Sequence, residues 1–199
     1  MDEFPPLVQR AIAAARELGF PLTREEAGPG ITPSASLPGT GRFLAMLAAG
    51  CRGGRIGELG TGIGIGAAWM ASAMPADCTL VTVEFDRARA AAARELFAAD
   101  PRVTVITGQA GVAIDKYAPF DLLFSDCGIY DSTLVDLLRP GGRVVMDDLP
   151  RGMPVEGDLK REFFRDPRLV SVEVVLPGSR DSLMSGTRTR YPGGIQSVT

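Results

Sequence analysis

Glu58-Leu59-Gly60-Thr61-Gly62-Ile63-Gly64-Ile65-Gly66 decides how this chain is read, because an apolar strand runs there through a carboxylate into alternating glycines. Glycine has no Cβ, so such a turn brings its backbone within contact distance of a nucleotide-like ligand, and the helix through Trp69 and Met70 starts beneath it. Leu80-Val81-Thr82-Val83 is a second strand ending in Glu84, where an acidic side chain can accept hydrogen bonds from ribose hydroxyls. Together they form a βαβ unit with a ligand site at its crossover.

Outward from this unit, strand and helix signals alternate. They run through Ile56 to Leu59, the helix of Trp69, Leu80 to Val83, the alanine-rich helix Arg87 to Ala98, and Val103 to Ile106. A short helix near Val112 to Tyr117, the strand Leu122 to Phe124, the helix Ser132 to Leu138 and the strand Arg143 to Met146 continue the pattern. Strands separated by single helices require a parallel sheet with right-handed crossovers and helices on both faces. The end of the chain differs: Leu169 to Leu176 and Ser182 to Thr187 are joined by a Pro-Gly-Ser-Arg-Asp turn and predict an antiparallel hairpin. Upstream, Pro5 to Leu18 and a segment starting at Thr40 have helical spacing, and the Pro/Gly-rich stretch Pro21 to Pro38 reads as a loop between them. The chain is expected to be one domain over 1–199, with N-terminal helices and a covering loop in 1–50 and an α/β core over 55–199.

Composition narrows the function classes. With 199 residues, 45% of them apolar, one core of substantial size is expected. A net charge of -3 and a pI near 5.1 give no general attraction to nucleic acid or anionic membrane, and no apolar stretch reads as a membrane span. Met1 to Pro5 lacks a basic leader, so a cytoplasmic protein acting on a small molecule is the expectation. There is no histidine, which excludes Ser-His-Asp and Cys-His chemistry. Cys51, Cys78 and Cys127 form no C-x-x-C pair, and Cys127 reads as a packing residue. The arginines between Asp86 and Arg94 read as a solvated helix face, and Trp69, Met70 and Met74 as core.

Two ligand classes compete for the glycine turn. Gly62, Gly64 and Ala67 satisfy G-x-G-x-x-A, which a dinucleotide-dependent oxidoreductase would use. Glu58 tilts the choice, since a carboxylate there opposes a pyrophosphate but suits the cationic end of S-adenosylmethionine.

The chain resembles the class I S-adenosylmethionine-dependent methyltransferases, and within them the cation-dependent O-methyltransferases of the caffeoyl-coenzyme A and catechol type. The likeness is carried by Gly41-Arg42-Phe43-Leu44, the glycine turn, Val83-Glu84-Phe85-Asp86-Arg87, Gly108-Gln109-Ala110, Phe120-Asp121 through Asp126, and Gly141-Gly142 followed by Asp147-Asp148. It continues to Leu176-Pro177-Gly178 and Asp181-Ser182-Leu183, and so covers nearly the whole chain.

The resemblance implies a Rossmann-like, seven-stranded, mostly parallel sheet whose last strand is antiparallel, and a homodimer. It implies that Glu58 and Gly60 flank the methionine part of the cofactor, Glu84 holds the ribose, Gln109 and Ala110 border the adenine, and Gly62, Gly66, Phe85 and Asp126 also contact the cofactor. Ile31 and Thr32 would close over the amino acid end. Asp126, Asp147 and Asp148 would hold a divalent cation (Mg, Mn or Ca), with Asp126 also at the reacting centre; the third position is usually Asn in the family. The family's lysine base follows the fourth-strand Asp, and Ile129 stands in its place here. A cofactor-binding protein without methyl transfer is the alternative within this fold.

Overall fold

The computed structural model describes residues 4–28, 35–127, 132–150, 163–176 and 181–190. Its centre is a seven-stranded sheet of order β3-β2-β1-β4-β5-β7-β6. The strands are β1 (Arg55–Leu59), β2 (Thr79–Glu84), β3 (Val103–Thr107), β4 (Phe120–Ser125), β5 (Leu138–Pro150), β6 (Leu169–Val174) and β7 (Asp181–Arg188). β1 to β5 pair in parallel, and β7 is antiparallel to both of its neighbours, β5 and β6. The order reverses at β1, which lies between β2 and β4. That is the place where an open α/β sheet leaves a crevice at the carboxyl ends of its strands.

Period-two alternation sends successive side chains to opposite faces and so builds two core layers. Leu122, Phe124, Val145 and Leu183 join the layer under α1 (Pro6–Glu17), α3 (Pro38–Ala49) and α4 (Ile65–Ala73). Leu123, Val144, Met146 and Met184 join the opposite layer, with Leu134 and Val135 of α7 (Thr133–Asp136). α4 is apolar and buried on every side from Ile65 to Ala71, because α1 and α3 cover its outer side. Gly41 of α3 makes that packing feasible: a Cβ there would run into the Trp69 indole, whose other flank meets Phe4 edge-on at 5.5 Å. Trp69, Met70 and Met74 are all core, as the sequence reading has them.

Three boundaries differ from expectation. The loop between Pro21 and Pro38 contains the one-turn helix α2 (Arg24–Ala27), capped by Thr23. The expected helix from Ser132 to Leu138 contracts to α7, and β5 starts at Leu138 rather than Arg143. The cause is a register shift: Leu138 pairs with Phe120, and pairing resumes at Leu122 with Arg143. Gly142 permits it, since a Cβ there would lie 2.6 Å from the Phe120 carbonyl oxygen. The segment after β3 splits into α6 (Ala110–Ala113) and a 3-10 turn over Asp115–Tyr117. Among the described residues, no helix is long and apolar enough to cross a membrane.

Candidate functional site

The β1 to α4 turn holds Gly60, Gly62 and Gly64 at φ of 95°, 54° and 96°, in the left-handed region that side chains with a Cβ rarely enter. Gly60 and Thr61 donate to the Val83 carbonyl oxygen at 2.9 and 3.2 Å, which ties the turn to the end of β2. Gly60 also abuts β4, where a Cβ would come within 2.7 Å of the Asp126 carbonyl oxygen. The Gly62 N–H donates to Glu84 Oε2 at 2.8 Å. One short turn is thus clamped between the two acidic positions, Glu84 and Asp126, that the sequence singles out.

Glu58 lies beneath the turn, 1% exposed. Its Oε2 accepts from Thr82 Oγ1, which is 2.5 Å from Thr61 Oγ1, whereas its Oε1 has no hydrogen-bond partner among the described residues. Gly66 leaves room for that orphan oxygen, because a Cβ at 66 would lie 2.5 Å from Oε1 and 3.1 Å from Ser36 Oγ. Burial pushes the Glu58 carboxyl up to about 8; Thr82 pulls the other way and nearby Glu84 adds to the rise. Burial therefore favours the protonated form of this carboxyl near neutral pH. Thr61 and Thr82 carry no motif that could have marked them, since each reads only as a turn or strand residue.

Glu84 closes β2 and is 4% exposed, so its carboxylate is held inside the fold rather than in solvent. The helix cap is Asp86, whose Oδ1 accepts from the Ala88 and Arg89 N–H groups, both at 2.9 Å, at the start of α5 (Arg87–Leu96). These bonds hold the Asp86 carboxyl below its ordinary value. Glu84 Oε1 accepts from the Asp86 N–H at 3.0 Å and from Arg89 Nε and Nη2 at 3.1 and 2.9 Å. Arg89 is thus corrected from a solvated helix residue to a partner of the candidate ribose acceptor. Its guanidinium lies 5.1 Å from the Phe85 ring centre and 6.0 Å from that of Phe20. Phe85 itself is 71% exposed. Gly108 donates to the Glu84 carbonyl oxygen at 2.9 Å, so Gln109 and Ala110 start α6 beside Glu84 on the same sheet edge.

Asp126 and Asp147 directly follow the paired residues Ser125 and Met146 of the parallel neighbours β4 and β5, so their backbones reach this edge side by side. Both are partly buried. Asp126 Oδ2 accepts from Ser36 Oγ at 3.3 Å, which links β4 to the segment entering α3. The side chain of Asp148 lies outside the described residues, as do Ile31, Thr32 and Ile129. Among the described residues no group of three His, Cys, Asp or Glu side chains is placed to hold a metal. The donors that are described are carboxylate oxygens, which fit a hard divalent cation. Cys127 is exposed, which corrects its reading as a packing residue, whereas Cys51 and Cys78 are buried.

Comparison with known proteins identifies what this arrangement is similar to. Residues 58–149 match a methyltransferase domain family. The chain is 34% identical over 140 residues to the catechol O-methyltransferase of Niastella koreensis, covering 63% of this chain and 62% of that protein. Over 172 residues it is 32% identical to a Mycobacteroides abscessus protein named "Putative O-methyltransferase", covering 81% of this chain and 74% of that one. The fold matches the crystal structure of the O-methyltransferase TomG of Streptomyces achromogenes in complex with SAM, with a TM-score of 0.68, 26% identity, and coverage of 94% of this chain and 91% of that one.

Proposed function

Because the chain belongs to the class I S-adenosylmethionine-dependent O-methyltransferases, we propose that it methylates a hydroxyl of a small phenolic, catechol-like acceptor with the help of a divalent cation. The observation that carries this reading is the clamped glycine turn, with Glu84 on one side and Asp126 on the other at the switch point of the sheet. The SAM bound to TomG supports the donor, and the name of the Niastella relative supports the acceptor class.

In this reading Glu84 accepts hydrogen bonds from the ribose, and the left-handed glycines let the backbone approach the methionine portion. Asp126 and Asp147, with Asp148, would hold the cation. A bound divalent ion lowers the pKa of a coordinated hydroxyl and so favours its nucleophilic form near neutral pH. The protein's remaining task is to hold acceptor oxygen and methyl carbon at near-contact distance, in line with the departing sulfur. A lysine base is not required by this scheme, and Lys116 is far from supplying one. It packs over Tyr117 at 5.1 Å, ahead of β4 and therefore at the opposite edge of the sheet from Asp126.

Titration of the protein with S-adenosylhomocysteine, followed by turnover of a catechol panel with Mg, Mn or Ca and with EDTA, tests the assignment. Binding together with EDTA-sensitive methylation is expected. Binding without methylation of any acceptor would favour a cofactor-binding protein lacking transfer activity, a reading that Ile129 in the lysine place supports. No binding would remove the methyl-donor reading itself.

A further inference from the structure

Glu84, the residue given above to the ribose, already has its carboxylate occupied. A carboxylate offers about four lone-pair directions, roughly two on each oxygen. Oε1 accepts from three donors: the Asp86 N–H, Arg89 Nε and Arg89 Nη2. Oε2 accepts from the Gly62 N–H and has one direction left. A ribose diol offers two hydroxyl donors, so its second hydroxyl finds no acceptor on this carboxylate until a present donor withdraws.

The candidates for withdrawal are unequal. Gly62 donates from the main chain of a turn fixed by hydrogen bonds to Val83, and Asp86 donates from the residue that caps α5. Neither can move without rebuilding the element that carries it. Arg89 reaches Glu84 through a flexible side chain that is 19% exposed. Among the described residues its guanidinium also lies over the rings of Phe20 and Phe85, which restrain it far less directionally than hydrogen bonds do.

We propose that Arg89 sets the affinity of the cofactor site: its guanidinium occupies the ribose-accepting oxygen of Glu84, and S-adenosylmethionine binds by displacing it. The proposal rests on the methyl-donor reading above. It gives cofactor binding an unusual sign of salt dependence. Added salt weakens the Arg89–Glu84 pair only slightly, because the pair is little exposed, so it strengthens binding of S-adenosylhomocysteine, which carries no net charge, by a small margin.

The test is calorimetric titration of the full chain with S-adenosylhomocysteine at low and high KCl, for wild type, Arg89→Met and Arg89→Lys. Arg89→Met is expected to bind tighter on the order of three- to tenfold, the range set by one partly shielded ion pair. It should also lose the salt dependence, with Arg89→Lys falling between. Adenosine and 2′,3′-dideoxyadenosine, compared by ligand-observed NMR, separate displacement from a structural role: only adenosine gains from Arg89→Met. Unchanged or weaker binding by a folded Arg89→Met overturns the proposal. Should that variant fail to fold, Arg89→Lys decides: affinity above wild type supports displacement, and affinity equal to or below wild type refutes it. A wild type that binds no S-adenosylhomocysteine at any KCl concentration overturns this proposal and the methyl-donor reading together. Binding without the Arg89 effect overturns this proposal alone.

Discussion

Replacing Glu58 by Gln removes a titration from the core while keeping the shape of the side chain, and the consequence is a pH-dependent difference in stability. In the folded chain the Glu58 carboxyl is pushed up from 4.5 to about 8 by burial under the glycine turn, with Oε1 unpartnered among the described residues. Between those values the folded state keeps a proton that the unfolded state has released. The stability contributed by the protonated group is complete below about 4.5 and is lost as pH rises towards 8. The full shift corresponds to roughly 4 to 5 kcal/mol, and adjustment of the turn around a charged Glu58 lowers the measurable part to about 2–4 kcal/mol. Urea unfolding of both proteins without ligand, in steps from pH 5 to pH 8, reads it directly. The stability of Glu58→Gln relative to wild type is expected to rise by that amount across the window. The carboxyls of Asp86, Asp100 and Asp166 are shifted downward and are common to both proteins, so they cancel. A difference that stays flat from pH 5 to 8 would refute the reasoning, because it would mean that Glu58 is already charged in the fold.

Two further substitutions probe the same packing. Gly66→Ala places a methyl 2.5 Å from Glu58 Oε1 and 3.3 Å from the Phe124 ring, in a core with no slack, and should lower the unfolding free energy by about 1–3 kcal/mol. An unchanged urea midpoint would show that the carboxyl has room to turn aside. Thr82→Val removes the hydroxyl that donates to Glu58 Oε2 and is expected to cost about 1–3 kcal/mol. Because that bond favours the charged acid, its loss should also carry the Glu58 titration to higher pH, which the same urea series checks.

The sheet was legible because its parallel strands are short apolar runs broken by single helices, and the glycines of 60–66 fix where the crossover lies. The chemistry visible in the sequence was that of acids at strand ends, and Glu84, Asp126 and Asp147 do reach one edge. What escaped the sequence is polar and set by how the elements pack. Arg89 sits at an exposed helical spacing yet turns back to Glu84 five residues earlier, with its guanidinium 6.0 Å from the ring centre of Phe20 beyond α1. Thr82 alternates with apolar neighbours as any strand residue would, and only the position of Glu58 on the adjacent strand gives its hydroxyl a task. The early start of β5 depended on a glycine passing close to the backbone of β4, which no local propensity encodes.

The insertion of β7 between β5 and β6 has a consequence for the order in which the molecule can be completed. During synthesis, 163–176 emerge before the strand that will separate them from β5, so the outer flank of β5 stays open until 181–188 have left the ribosome. Closing this part of the sheet needs contacts spanning some forty positions along the chain, from Arg143 to Thr187, a pairing that polymer statistics makes slow. A nascent chain halted short of Asp181 would carry that unsatisfied ladder as a site for adhesion to other chains.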